Sequence, residues 1–438
     1  MKTIAPFDRR YFMKLAGAAP LLAYLGLRDL TEKAMGAVGK TPPDTIYTRI
    51  GVRPFINGRG TWTYLSGSLE LPEVRAAKQA AAAHFVDIFE LQHAASRRLA
   101  ELSGAEAGMV TSGAAGAMAA ATAACIAGSD PEKIWQLPDT TGLKHEVIMH
   151  GGRSAFDNAI RLAGGKLVLA RSEDEVRAAI GENTAMIYTT FLGATLEKVI
   201  GVAKEAKVPL LLDDAAGIPP IENLKLYAKM GADLYCFSGG KGLCGPQCSG
   251  LLLGRKDLIE AAMRNTSPWE GSVCRAMKVG KEEVMGCLAA VEAWTRLDLN
   301  SLQRQWNERV VRIQKLVGTV PGVKTDIRIP EGGNRYPTLV VTWDEEAWGF
   351  SVADCDKKLR DGNPRIEVLT SSNPSLVPAV HEGYEHAKNA KRRDQIEIIS
   401  MTLQPGEELV LGKRLREILA AARKQTAATR KVLRPVSG

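Results

Sequence analysis

Aromatic residues make up only 6% of this 438-residue chain, too few to advertise a nucleic-acid surface built from stacked rings. A disulfide framework is also missing. The seven cysteines (Cys125, Cys236, Cys244, Cys248, Cys274, Cys287 and Cys355) are odd in number and irregular in spacing, which is not how a disulfide-stapled domain is written. Beyond the first thirty residues no apolar run is long enough for an ordinary membrane span. Acidic residues do not dominate either: the net charge is +8. Much of that excess sits at Lys2, Arg9, Arg10 and Lys14 and then from Lys413 to Lys431. A basic C-terminal helix of this kind reads as a solvated face, not as a nucleic-acid or membrane surface. What is present is ordinary globular composition, 45% apolar and 24% charged, without internal repeats or low-complexity segments. It is enough for one large domain and a smaller one.

The first local signal is Asp8-Arg9-Arg10-Tyr11-Phe12-Met13-Lys14, followed by a modest apolar run from Leu15 to Leu27. Paired arginines before a short apolar stretch resemble a twin-arginine export signal. Ala34-Met35-Gly36 and Ala37-Val38-Gly39 are both plausible cleavage sites. The expectation is a protein exported folded by the twin-arginine machinery to the periplasm, already carrying any cofactor. No cysteine follows the apolar run, so no lipid anchor is indicated.

The chain then divides into a signal and linker over 1–39, an N-terminal arm over 40–70, a large domain over 71–300 and a small domain over 301–438. An alanine-rich amphipathic stretch from Pro72 to Ser103 reads as one or two helices. Strand and helix signals then alternate as far as Gly254, with strands expected at 108–111, 146–149, 166–169, 184–189, 208–212, 233–238 and 250–254. Short connections between alternating elements imply an α/β fold with a mostly parallel central sheet and helices on both faces. After helices at 281–297 and 302–317, four strand signals (324–329, 338–343, 365–370 and 395–401) suggest a second, smaller sheet in an α+β domain, closed by a helix over 406–432. In parallel sheets, ligands bind beyond the carboxyl ends of the strands.

The residues that could carry chemistry sit there. Asp213 and Asp214 end the strand Leu210-Leu211-Leu212; an acid in that place can hold the proton of a buried ring nitrogen, and a helix cap is the bland alternative. The next strand ends in Ser238-Gly239-Gly240-Lys241-Gly242. Flanking glycines let backbone pass close to a bulky ligand, and a lysine there can form a Schiff base. Thr111-Ser112-Gly113-Ala114-Ala115-Gly116 joins a strand to a helix N-terminus, where free N–H groups and hydroxyls cradle phosphate. It is neither G-x-x-x-x-G-K-[ST] nor G-x-G-x-x-G, which disfavours nucleotide and dinucleotide loops. Cys244 and Cys248 beside the lysine are compatible with a disulfide, a metal site or simple packing. No metal ligand set stands out.

Cradle, acid and lysine in this order resemble fold-type-I pyridoxal-phosphate (PLP) enzymes, and within them the group similar to bacterial selenocysteine synthase (L-seryl-tRNA(Sec) selenium transferase) and D-glucosaminate-6-phosphate ammonia-lyase. The resemblance rests on Phe55-Ile-Asn-Gly-Arg-Gly-Thr-Trp-Thr63, Leu212-Asp-Asp-Ala-Ala-Gly-Ile-Pro-Pro220, Phe237-Ser-Gly-Gly-Lys-Gly-Leu-Cys-Gly-Pro-Gln247, Arg275-Ala-Met-Lys-Val-Gly-Lys-Glu-Glu283, Asp361-Gly-Asn-Pro-Arg365 and Leu403-Gln-Pro-Gly-Glu407, from about residue 46 to 422. It implies PLP as cofactor, held on Lys241. Asp213 would meet the ring nitrogen, with Asp214 the alternative. Thr111, Ser112, Gly113 and Ser238 would hold the phosphate, and His150 would stack on the ring or be a plain loop histidine. Arg275, Lys278 and Arg365 would serve the substrate. It also implies a homodimer or higher homo-oligomer. The expected activity on a small-molecule amine begins with Cα deprotonation, first α,β-elimination of ammonia-lyase type. Racemase or aminotransferase action, selenium transfer and a non-catalytic PLP-binding protein are the alternatives. The tRNA-binding N-terminal domain of selenocysteine synthase has no counterpart here, its place being taken by the export signal, so no nucleic-acid partner is expected.

Overall fold

A computed structural model describes residues 45–370 and 394–432; the twin-arginine segment and the Thr41–Pro43 linker lie outside them. The strands, in chain order, are β1 (Phe55–Gly58), β2 (Ala107–Thr111), β3 (Glu146–His150), β4 (Lys166–Ala170), β5 (Thr184–Thr189), β6 (Leu210–Asp213), β7 (Leu234–Ser238), β8 (Gly250–Gly254), β9 (Lys324–Arg328), β10 (Thr338–Thr342), β11 (Arg365–Val368) and β12 (Ile396–Ile399).

Strands β2 to β8 form one seven-stranded sheet in the order β2-β8-β7-β6-β5-β3-β4. Only β8 runs antiparallel to its neighbours. The near-continuous apolar runs exist because both faces are covered. On one face Leu210, Leu212, Tyr235, Phe237, Ile148 and Ile187 pack in a core with residues of helices Ile88–Ser103, Gly193–Ala206 and Lys281–Trp294. On the other, Leu211, Cys236, Leu252, Met149, Met186 and Tyr188 pack against the alanine-rich helix Gly113–Ala127 and helix Lys256–Arg264. Alternate residues serve alternate faces, as the two-residue period of a strand requires. Each fully buried leucine contributes about 2 kcal/mol.

The Pro72–Ser103 stretch is two helices, Pro72–Ala82 and Ile88–Ser103. They separate where the Asp87 carboxylate accepts the N–H groups of Phe89 and Glu90 at 2.8 and 3.1 Å, a side-chain cap that starts a new helix. Helix Lys256–Arg264 lies in a segment that carried no helix signal.

The smaller sheet departs from expectation. Among the described residues only β9, β10 and β12 form it, antiparallel, in the order β12-β10-β9. Strand β11 instead pairs parallel with β1 of the N-terminal arm, Phe55 opposite Arg365 and Gly58 opposite Val368. A single bridge, Leu369 to Glu397, still ties it to β12. The arm is therefore part of the small domain's core: Ile56 packs with Ile366, Val368, Ile398 and Leu411.

Candidate active site

The carboxyl ends of β2, β5, β6 and β7 converge with the loop that carries Lys241. Leu211 and Asp213 alternate onto the face covered by helix Gly113–Ala127. Three donors fix the Asp213 carboxylate: Tyr188 Oη gives to Oδ2 at 2.8 Å, while the Ala215 N–H at 3.1 Å and the Cys236 thiol at 3.6 Å give to Oδ1. Asp214 turns elsewhere. It is 6% exposed and takes the Tyr227 hydroxyl at 2.6 Å. It is also so close to the Gly217 backbone that a Cβ there would stand 1.6 Å from Oδ2. Burial pushes its carboxyl up to about 6.

Lys241 is half-buried, and its amine makes no hydrogen bond or ion pair among the described residues. Burial pulls it below the ordinary lysine value, against the opposing pull of Asp213, Cys236 and Asp214. The loop is held from all sides. Ser68 donates both its N–H and its hydroxyl to Gly240 O at 3.0 Å, Gln247 Nε2 donates to Thr63 O at 2.8 Å, and Trp294 Nε1 donates to Leu243 O at 2.8 Å. A Cβ on Gly242 would lie 2.0 Å from Ile218 O and 2.2 Å from Tyr336 Oη. Gly242 thus makes room for the Ile218 carbonyl and the Tyr336 hydroxyl.

The turn expected to cradle phosphate joins β2 to a helix N-terminus. Ser112 is the N-cap of helix Gly113–Ala127, and its hydroxyl makes no capping bond. Gly113 has φ +70°, and a Cβ there would meet nothing within 4 Å. The first N–H groups of such a helix have no partner within it and favour an anion. Gly250 on β8 supports this turn from below: a Cβ there would be 2.4 Å from the Gly113 carbonyl carbon. Thr111 is buried and gives its hydroxyl proton to Gly113 O at 2.9 Å, so it shapes the turn. Ser238 ends β7 and donates its N–H to Ala215 O.

His150 is buried at the end of β3. Its Nδ1 lies 3.2 Å from Thr189 Oγ1, and its ring sits 4.7 Å from that of Phe191. Burial lowers its pKa, favouring a neutral ring. Arg275 is half-buried and Lys278 exposed, on a segment whose Met277 Sδ comes within 3.9 Å of a Cβ placed on Gly116 in the first turn of the cradle helix. Neither cation has an ion pair among the described residues. Arg365 is placed differently. Its guanidinium donates from Nε at 2.9 Å and from Nη2 to Glu367, and lies over the Phe55 ring at 5.3 Å. Cys244 and Cys248 are free thiols, and no metal-binding group of His, Cys, Asp and Glu occurs among the described residues. Sequence reasoning does not find Tyr188, Ser68 or Gly250, whose residue types announce strand or turn.

Residues 168–292 match the aminotransferase class-V family. The chain is 31% identical over 394 residues to the 5'-C-glycyluridine monooxygenase-decarboxylase of a Streptomyces species, covering 85% of this chain and 92% of that protein. It is 30% identical over 341 residues to the D-glucosaminate-6-phosphate ammonia lyase of Salmonella typhimurium, covering 73% and 88%. A solved D-glucosaminate-6-phosphate ammonia-lyase structure superposes with TM-score 0.71 at 27% identity, over 87% of this chain and all of that one. The chain is a PLP-dependent enzyme and belongs to the fold-type-I, aminotransferase class-V family.

The residues present fit PLP: an open, anion-favouring helix start, a carboxylate with one lone-pair position left, and a half-buried amine without a hydrogen-bond or ion-pair partner among the described residues. When bound, the cofactor supplies an electron sink for negative charge developing on the substrate.

Proposed function

We propose that the enzyme acts on a 2-amino acid or amino-sugar acid, taking the proton from Cα and expelling a β-substituent, after which water hydrolyses the resulting imine to ammonia and a keto acid. The observation that carries this is the site geometry joined to the similarity to the ammonia lyase over most of both chains. Lys241 would hold PLP, and its amine, which burial pulls below the ordinary lysine value, would carry the Cα proton. Asp213 would hold the proton at the ring nitrogen. Ser112, Gly113 and the first N–H groups of the cradle helix bind the phosphate, with Ser238 beside them and Thr111 fixing the turn. His150 would lie against the ring. Arg275 and Lys278 meet the substrate's acid groups; Arg365 would have to leave Glu367 to do the same.

A second reading, loss of a carboxylate from Cα, is favoured by the similarity to the monooxygenase-decarboxylase. Incubation with a panel of amino acids and aminosugar acids, assayed for ammonia, keto acid, carbon dioxide and inverted isomer, separates these outcomes from racemisation and transamination. Ammonia with keto acid supports the first reading, and carbon dioxide the second. Borohydride reduction should fix the cofactor to the peptide containing Lys241; label on another lysine would overturn the assignment.

Two further proposals concern the enzyme's setting. The Arg9-Arg10 segment routes the folded protein to the periplasm, so Arg9→Lys with Arg10→Lys should leave it in the cytoplasmic fraction. A homodimer buries the exposed Phe85, Phe89, Trp135 and Trp269, and light scattering should give twice the chain mass.

A further inference from the structure

Two tyrosines each hold one of two adjacent aspartates. Tyr188 reaches Asp213 from β5, and Tyr227 reaches Asp214 from helix Asn223–Met230. The pairs differ in what else the carboxylate does. Asp213 is half-buried at the end of β6, on the face shared with the cradle helix, and accepts from Tyr188, Ala215 and Cys236. A carboxylate offers about four lone-pair positions. With two taken on Oδ1 and one on Oδ2, a single position on Oδ2 is left for one more donor. Asp214, by contrast, is packed against Gly217 and Tyr227.

We propose that Tyr188 is a positioning residue for the cofactor. Its hydroxyl fixes the plane of the Asp213 carboxylate, so that the one remaining lone pair of Oδ2 is aimed at the ring nitrogen's proton. This rests on the reading of Asp213 given above. A donor to an ionised carboxylate favours the charged form, and charge-assisted bonds are roughly twice as strong as neutral ones. Tyr188 can only act as donor here. It is buried and faces an anion, both of which hold its proton in place, with Asp157 adding to the effect. The other titratable groups around Asp213 are the Cys236 thiol, which burial keeps protonated, Asp214 and Lys241. None of these replaces the bond to Oδ2.

The test compares Tyr188→Phe, Tyr227→Phe and Asp213→Asn in the full-length protein, each checked for fold by circular dichroism. The readouts are the dissociation constant for PLP and the absorption spectrum of the bound cofactor. Tyr188→Phe should weaken PLP binding about tenfold and shift the absorption band of bound PLP, because the ring nitrogen's proton is held less firmly. Tyr227→Phe should change neither. If Tyr188→Phe binds PLP within twofold of wild type with an unmoved absorption band while Asp213→Asn binds poorly, the tyrosine is mere packing and the inference falls alone. If Tyr227→Phe reproduces the Tyr188→Phe profile, the effect is general loosening and the inference falls as well. If Asp213→Asn itself binds PLP as wild type does, both the reading of Asp213 and the inference are overturned.

Discussion

At the carboxyl edge of the seven-stranded sheet, Lys241, Arg275 and Lys278 stand without hydrogen-bonded or ionic side-chain partners among the described residues. In the small domain, buried acids are neutralised one by one: Glu367 by Arg365, Glu397 by Arg328 at 2.5 Å and Glu408 by Arg312 at 2.8 Å. Both regions draw on the same residue types. A buried carboxylate needs a partner or it neutralises, and the small domain meets that need from its own chain. The large domain partners its buried acids as well, Asp157 with Arg153 and Asp214 with Tyr227, and what it leaves open at the sheet edge are cations, which a bound anion would complete. Unsatisfied charge marks the site more sharply than the presence of charge does.

The largest effect should come from Lys241→Ala. Removing the amine should abolish covalent attachment of PLP and lower turnover by about 10³-fold or more, read by borohydride labelling and by product release. The melting temperature of the cofactor-free protein should hold or rise, because no partner is orphaned. A large loss of stability would make Lys241 a structural residue and erase the contrast. Gly250→Ala tests the cradle from behind. Its new methyl would collide with the Gly113 carbonyl carbon, displacing the helix start, and PLP affinity should fall by about 10- to 100-fold, with overpacking costing about 1–3 kcal/mol. Titration of the cofactor-free enzyme with PLP, and separately with inorganic phosphate, checks it; an unchanged affinity would mean that the phosphate binds elsewhere.

Arg365→Ala should behave in the opposite sense to Lys241→Ala. It strands Glu367, which is almost fully buried, but Arg365 itself is about one-third exposed. Solvent screening therefore trims the cost to about 1–3 kcal/mol of stability. The KM for the substrate should change by less than about threefold. A large rise in KM with stability intact would return Arg365 to the substrate site and place Glu367 as its keeper.

Much of this was legible in the residues. The strands of the large sheet are bounded apolar runs, and the acid and the lysine stand where such strands end. Strand β1 was not legible, because Phe55–Gly58 acquires its pairing from β11, about three hundred residues away in sequence. The commitment of Arg365 did leave a trace: Arg365 and Glu367 are two apart on a strand and so share a face. Tyr188 left none, since a tyrosine in Thr184–Thr189 reads as ordinary sheet filling until its hydroxyl is seen to reach Asp213.

The smallest expected effect separates the two aspartates by pH. Asp214 has its carboxyl raised from 3.8 to about 6, burial being the largest cause, with the Tyr227 hydrogen bond opposing it. The folded state therefore holds this proton more tightly than the unfolded chain does. Its contribution to stability is full below about pH 4 and is lost as pH rises through about 6, a span worth roughly 3 kcal/mol at most. Asp214→Asn removes the titrating group while leaving an oxygen to accept from Tyr227. Urea unfolding should then show variant and wild type nearly equal at about pH 4 and the variant more stable, by roughly 1–2 kcal/mol, at about pH 7.5. PLP affinity should stay within a few-fold of wild type, in contrast to Asp213→Asn. Parallel stability profiles would mean that Asp214 is ionised throughout and that Lys241, not burial, governs it. The tidy division between a carboxylate kept for the ligand and one kept for the fold would then be lost.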